Sequence, residues 1–418
     1  MKVAHVLRKY NPDEWGGTET AVKRLAEGLR THATESVVFC PRLERMPSRD
    51  PFADAGILVK RFRAIVPVWR IPEQQRLEMI SVGGNLLSFQ LPGQLLCEKA
   101  LSLIHTHTLN RLGGTALTIA RLRRIPLVVT IHGGVFDLPK SVSAELARPL
   151  SGGFEWGRVF GFLLRSKKVV ECADAVLTCN AREAAMIAER HPKQRVIVQS
   201  HSVDAQLYRR PVADDLGSHF AGLDGVPFLL VLGRVDPVKN QSFLLEHAPA
   251  LLQRHPNLHF VFAGSCTNAA YGDTLRDTIR TLGIGDRVIL TGGLPPEDSR
   301  LIALLQKAKA VVVPSLSETF GLVVLEAWAA GTPVISSRTS GVRELIRDGE
   351  NGWLFDLDAP AAFHTAVDAI LNRPETVAAV VEQGRAEVAA KYDSAVLTGR
   401  IRDIYRDLID RKKSRCTT

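Results

Sequence analysis

Apolar runs of four to six residues alternate along the chain with stretches whose apolar positions recur every third or fourth residue. The runs at 3–7, 36–39, 103–106, 127–131, 175–178 and 196–199 predict strands in the first half, and 228–232, 258–263, 288–291, 310–313 and 333–336 predict strands in the second. Helical periodicity at 19–29, 181–190, 241–252 and 299–307 separates them. A run apolar on both faces must be covered on both faces, and a helix after each strand lets the next strand return parallel to it. The pattern therefore predicts an α/β protein with parallel sheets, organised as two Rossmann-like domains over 1–210 and 211–390. The seam is expected in 203–226, where Pro211, Asp214, Asp215, Gly217, Gly222 and Gly225 interrupt the periodicity. A last helical pattern at 396–408, within a terminal segment 391–418, leads into Arg411, Lys412, Lys413 and Arg415, read as a frayed and solvated basic tail.

Length agrees, because 418 residues exceed what one hydrophobic core usually serves. Apolar residues at 45% and charged residues at 23% exclude disorder, collagen and a coiled coil. Six cysteines form no CxxC pair and have no histidine partner at zinc spacing, the usage of free thiols in a reducing compartment. Arg8 and Lys9 stand where a signal peptide would need its apolar stretch, and no apolar run approaches the length of a membrane span. A cytoplasmic protein is expected.

The net charge of +9 is unevenly placed, with 31 basic and 19 acidic residues in 1–210 (net +12) against 22 and 25 in 211–418 (net −3). A basic half suits nucleic acid, an anionic membrane surface or phosphorylated ligands. The clusters Arg121, Arg123, Arg124 and Arg165, Lys167, Lys168 lack interleaved aromatics, which argues against a base-stacking groove and hence against nucleic acid. A helical pattern at 154–170 sets Phe160, Phe162, Leu163 and Leu164 beside Arg165, Lys167 and Lys168. It reads either as a buried helix with one basic edge or as a peripheral attachment to anionic lipid on the cytoplasmic membrane face.

The stretch with the most chemistry is Ser317-Glu318-Thr319-Phe320-Gly321-Leu322-Val323-Val324-Leu325-Glu326, after the strand at 310–313. A helix starting near Gly321 leaves the amides around Thr319–Leu322 pointing outward at a carboxyl strand end, a ready site for a diphosphate. Glu318 in the loop and Glu326 about one and a half turns into the helix offer carboxylates for pairs of sugar hydroxyls. The bland alternative makes Glu318 a helix-terminal charge and Glu326 a solvated residue, but the apolar neighbours of Glu326 argue against exposure. After the strand at 228–232, Arg234 and Lys239 can converge on one anion. In the first half, Gly16 and Gly17 let a backbone approach a ligand or simply form a strand-to-helix turn. His132, in Thr130-Ile131-His132-Gly133-Gly134, ends an apolar strand and would look into an interdomain cleft or serve as a structural histidine. His105 and His107 share a strand face without a third ligand at metal spacing, so no metal is expected.

The glutamates eight apart, Ala330-Gly331-Thr332-Pro333-Val334-Ile335, Gly233-Arg234…Lys239, Ala263-Gly264, Gly341-Val342-Arg343-Glu344-Leu345-Ile346 and Gly349-Glu350-Asn351-Gly352 resemble the signature of GT-B retaining glycosyltransferases of family 4. The resemblance is specific in 228–356 and diffuse before Ser200. It implies two Rossmann-like domains facing a cleft, with 1–210 on the acceptor side, 211–390 binding the donor, and a final helix that crosses back onto the first domain. It implies that Arg234 and Lys239 hold the diphosphate of a nucleotide sugar and Glu326 the ribose hydroxyls. Glu318 and the backbone of Phe320, Gly321 and Leu322 would meet the sugar and distal phosphate, with Gly16 and Gly17 closing over the phosphates. His132 would reach the sugar, and the backbone near Gly293 and Leu294 would read the base. Asn240 replaces a more usual glycine, and His201-Ser202-Val203-Asp204 stands where Asn-Gly-Val-Asp is common.

The implied reaction moves a hexose from a nucleoside-diphosphate sugar to the hydroxyl of a glycan or lipid-linked acceptor, with retention, as in bacterial polysaccharide, lipopolysaccharide or glycolipid assembly. No cofactor is implied, and Asp356-Leu357-Asp358 reads as a turn rather than a metal motif. Rival readings are a GT-B sugar phosphorylase or epimerase, and a non-catalytic protein that binds anionic surfaces.

Overall fold

The computed structural model describes residues 1–418 except 13–14, 44–49, 74–75, 77–78, 81–83, 134–154, 213–215, 296 and 418, and except the side chains of 374 and 415–417. Two compact units emerge, Met1–Ser200 with Ala395–Thr418, and His201–Ser394. Among the described residues the first carries seven parallel strands: β1 (Lys2–Val6), β2 (Glu35–Pro41), β3 (Leu58–Phe62), β4 (Leu103–Thr106), β5 (Leu127–Ile131), β6 (Ala175–Thr178) and β7 (Val196–Val198). The second carries six: β8 (Phe228–Leu232), β9 (His259–Ala263), β10 (Val288–Gly292), β11 (Ala310–Val313), β12 (Val334–Ser337) and β13 (Trp353–Phe355).

The strand orders are β3-β2-β1-β4-β5-β6-β7 and β10-β9-β8-β11-β12-β13. Each order reverses beside its own first strand, between β1 and β4 and between β8 and β11. Open parallel sheets bind ligands outside the carboxyl ends of the strands at that reversal. The loops after β8 and β11 thus occupy the position where a ligand is expected in the second unit.

α1 (Gly17–Arg30) follows β1, α2 (Arg158–Leu163) precedes β6, α3 (Gln241–Arg254) follows β8, α4 (Leu322–Ala330) follows β11, and α5 (Ser394–Thr417) follows a π-helical turn at Val388–Tyr392. One face of the first sheet, built from Val3, Leu103, Val128, Ala175 and Leu177, is covered by Leu25 and Leu29 of α1 and by Ile401, Tyr405 and Leu408 of α5. The core of the second unit packs Leu229, Val231, Phe260, Phe262 and Val312 against Leu244 and Leu245 of α3.

The structure departs from the sequence pattern in several places. β3 and β13 carry no run of the predicted kind: β3 is an edge strand containing Lys60 and Arg61, and β13 has only three residues. Within 203–226 Tyr208 is fully buried, and its carbonyl accepts from Gln306 Nε2 at 2.7 Å. Asp214 and Asp215 lie outside the described residues. The helix expected over 154–170 is broken into α2, a 3-10 turn at Ser166–Lys168 and a short helix Val169–Cys172, with Arg165 left-handed at φ 52° between the first two. Phe154 lies outside the described residues. The expected frayed tail is helical through Thr417: Arg411 donates to Asp407 at 2.8 Å and Lys412 pairs with Asp174 at 2.9 Å. No helix among the described residues is long and apolar enough to cross a membrane.

Candidate active site

Behind β8 the chain turns at Gly233 (φ 143°), and Gly264 after β9 packs so closely that a Cβ there would lie 1.9 Å from the Gly233 carbonyl oxygen. Arg234, with nearly half its side chain exposed, pairs with Asp236 at 3.2 Å, and its carbonyl accepts from the fully buried Gln241 at 2.8 Å. Asp236 also accepts from the Lys239 amide at 3.1 Å, which folds the Arg234–Lys239 loop on itself. Asn240 takes the left-handed conformation at φ 55°, a geometry that glycine adopts freely and asparagine tolerates. Its Nδ2 donates to the Pro314 carbonyl at 3.1 Å, a bond glycine could not make.

That bond reaches the second loop, and the Leu316 amide donating to the Val238 carbonyl at 2.8 Å makes a further tie. The Lys239 ammonium pairs with the Glu318 carboxylate, which also accepts from Ser315 Oγ at 3.1 Å. The Gly341 amide donates to the Glu318 carbonyl at 2.9 Å, and a Cβ at Gly341 would stand 2.3 Å from the Phe320 nitrogen. Phe320 is buried edge-on to the rings of His201 and Tyr392, with centroids 5.1 and 6.3 Å away. Gly321 (φ 102°) is the N-cap of α4 and supplies no side chain there, so the first turn, from Leu322, presents backbone donors. Glu326 is buried on α4 rather than solvated. Leu294 follows the edge strand β10 and is half-buried.

Lys239, Glu318 and the start of α4 are therefore brought together. Arg234 is held by Asp236 on its own loop, so the two expected cations each carry an acidic partner. A fixed ammonium, a guanidinium and helix-end amides can stabilise a phosphate, while two carboxylates can accept hydroxyls. Asp236, Ser315, His201 and Tyr392 were not foreseen. Asp236 had a signal, its place between Arg234 and Lys239, and His201 another, its place where the family pattern has Asn.

In the first unit Gly16 is the N-cap of α1, and its carbonyl accepts from the Thr20 amide at 3.0 Å. Trp15 Nε1 donates to Thr20 Oγ1 at 2.7 Å, which packs the loop onto the helix that Gly17 begins. His132, just past β5, has Nε2 2.8 Å from His107 Nδ1; Gly134 lies outside the described residues. The absence of a third imidazole near His105 and His107 is corrected by the fold. His5 of β1 sits in register with His105, and all three are buried with nitrogens within 4.8 Å of one another. Sequence spacing cannot find a ligand that arrives from a neighbouring strand. Their nitrogens are turned to other partners: His105 to Tyr405 at 2.5 Å and Thr130 at 2.6 Å, His5 to His107 at 3.1 Å and Ser36 at 3.3 Å. Burial pushes His5 down to about 3. Burial, and after it the neighbouring His5 and His132, holds His105 well below the ordinary histidine value.

Residues 16–212 match the family described as glycosyl transferase 4-like domain, and residues 221–387 match glycosyl transferases group 1. A D-inositol 3-phosphate glycosyltransferase of Geodermatophilus obscurus is 33% identical over 360 residues, 78% of this chain and 76% of the relative. The Frankia alni enzyme of the same name is 31% identical over 380 residues, 86% of each chain. This chain belongs to the group 1 glycosyltransferases. Solved structures place this glycosyltransferase in the GT-B fold. Anabaena HepE in complex with UDP and glucose superimposes with a TM-score of 0.74 at 18% identity, covering 97% of this chain and 99% of that one. Sucrose-phosphate synthase from Thermosynechococcus elongatus gives 0.72 at 21% identity, covering 98% and 99%. The group 1 match spans both loops of the second unit, from Gly233 to Gly341.

Proposed function

We propose that this glycosyltransferase moves a hexose from a nucleoside-diphosphate sugar to an acceptor hydroxyl with retention at the anomeric carbon. The observation that carries the reading is the pairing of Lys239 with Glu318 where the second sheet reverses, beside the glycine-started α4. Departure of the diphosphate builds negative charge on the leaving oxygen, and Arg234, Lys239 and the α4 amides oppose that charge most strongly in the transition state. Glu326 accepts from the ribose hydroxyls, and Glu318 with the Phe320–Leu322 backbone holds the sugar and distal phosphate. Leu294 is assigned to the base. Gly16 and Gly17 are the first unit's candidates for the phosphates, and His132 its candidate for the sugar. The acceptor oxygen bonds to the anomeric carbon as the carbon–oxygen bond to the diphosphate breaks, and the acceptor proton passes to the leaving phosphate oxygen.

HepE was solved with UDP and glucose, which supports a uridine diphosphate sugar as the first donor to try. The curated relatives are named for a phosphorylated cyclitol, and the basic excess of 1–210 supports an anionic acceptor of that kind or a lipid-linked glycan. Thermal shift against uridine, guanosine and adenosine diphosphate sugars identifies the donor by the midpoint it raises. Free nucleoside diphosphate released only with acceptor, and a product keeping the donor's anomeric configuration, is the expected result. Turnover that depends on inorganic phosphate, or an inverted product, would overturn the reading. Glu326→Ala and Arg234→Ala should each lower donor turnover at least about tenfold, the effect of losing a donor contact worth about 1.4 kcal/mol.

α2 bears on where the acceptor lies. It is not the buried helix of the bland reading: Val159, Phe162 and Leu163 are 64, 85 and 65% exposed, beside Arg158, Arg165, Lys167 and Lys168. Apolar side chains among cations fit the headgroup layer of an anionic bilayer. Phosphatidylglycerol vesicles should sediment the protein at low salt and phosphatidylcholine vesicles should not. Unchanged sedimentation of a Phe162→Ser, Leu163→Ser protein would remove α2 from the attachment.

A further inference from the structure

The first sheet carries a polar row across an otherwise apolar face. Val3, Leu103, Val128, Ala175 and Leu177 build that face under α1 and α5, and His5, His105, His107, Thr130 and Ser36 cross it. His5, His105 and His107 are buried, and each imidazole brings a donor and an acceptor that must be satisfied. Three links join them in one direction: Ser36 Oγ to His5 Nε2 at 3.3 Å, His5 Nδ1 to His107 Nε2 at 3.1 Å, and His107 Nδ1 to His132 Nε2 at 2.8 Å. His105 stands beside the row, its ring 4.1 Å from His107 and its own nitrogens bound to Tyr405 and Thr130.

A neutral imidazole donates from one nitrogen and accepts at the other, so this connectivity admits only two proton arrangements. In one, Ser36 donates inward and all three rings of the chain carry hydrogen on Nδ1. In the other, Ser36 accepts and all three carry it on Nε2. A mixed set would leave two lone pairs or two hydrogens facing each other across one link.

We propose that His107 and His5 are positioning residues for His132, a continuous hydrogen-bonded chain that fixes its ring and ties its tautomer to Ser36 in the core. Three converging imidazoles also describe a metal centre, but their nitrogens face one another, Ser36, Thr130 and Tyr405 instead of a common point. The consequence for turnover rests on the reading of His132 as the sugar-facing group; the consequence for the tautomers does not.

Long-range proton–nitrogen NMR of the full chain labelled at histidine reads which nitrogen carries each hydrogen. His5, His107 and His132 are expected to share one tautomer. His5→Phe keeps a ring and removes both nitrogens, whereas His5→Asn keeps a polar group near the Nδ1 position. His5→Phe should leave His132 in both tautomers and lower kcat about tenfold with little change in the donor KM, since a wrongly protonated imidazole is misdirected without being displaced. His5→Asn should recover most of the loss. Unlike tautomers in the unsubstituted protein, a His5→Phe protein with unchanged His132 tautomer and unchanged turnover per folded molecule, or stoichiometric zinc on His5, His105 and His107 would overturn the proposal. Full turnover by His132→Ala would overturn the donor role of His132 while leaving the tautomer result to stand.

Discussion

Asn240 shows how one side chain can serve backbone geometry and loop contact together. Its φ of 55° satisfies the turn after Lys239, and its amide ties that turn to Pro314 on the next loop. Alanine keeps neither advantage, so Asn240→Ala should cost about 2–4 kcal/mol, the sum of a left-handed penalty and the two hydrogen bonds its side chain makes with Pro314 and Ser242, read from urea unfolding. Asn240→Gly should cost less, because only the two side-chain bonds are lost. Gly341 has an ordinary φ of −72°, so its constraint is purely one of space. A methyl there meets the backbone of Thr319 and Phe320, and Gly341→Ala should weaken donor binding about tenfold, or 1.4 kcal/mol, by displacing the Glu318 loop, measured by titration with the nucleoside diphosphate. Arg234, Lys239, Glu318 and Glu326 stood out as candidates because charge at a strand end, or inside an apolar helix, is visible in one dimension. His201 against Phe320, and His5 beside His105, were not, since each pair is made by chain segments about a hundred residues apart or more.

At the scale of elements, the polar row on the first sheet sets a pH dependence. His5 is neutral in the fold down to about pH 3, while an unfolded chain protonates it near 6.5. As pH falls from 6.5 toward 3 the unfolded chain therefore binds the extra proton, and stability is lost at about 1.4 kcal/mol per pH unit for that ring. His105, depressed for the same reason, steepens the slope. Urea midpoints between pH 7 and 4.5 should fall accordingly, and His5→Asn should fall less steeply. The central strands were legible because full burial writes an unbroken apolar run. β13 was too short to show any period, and the helical run over 154–170 gave no sign that Arg165 would turn left-handed and break it.

The whole molecule is two units of parallel sheet, and the first is assembled from both ends of the chain. Ile401, Tyr405 and Leu408 cover Val3, Leu103 and Val128, and Tyr405 meets His105 across 300 residues of sequence. A chain stopped at Ser394 loses that cover, worth several kcal/mol at about 1.5–3 kcal/mol for each large apolar side chain. Hydrogen exchange should then quicken through residues 1–200 and hold steady within 201–394. The alternation of runs made two sheets readable from sequence, but a terminal helical pattern does not say which sheet it will cover. That cover also fixes an order of events during synthesis. Residues 201–394 form their own unit once position 394 has left the ribosome, while residues 1–200, made earlier, wait with one sheet face bare for residues 395–418, made later. Of the two units, the one whose strands are translated earlier is the one that matures later, and a chaperone that shields nascent chains has its longer task at the sheet of β1–β7.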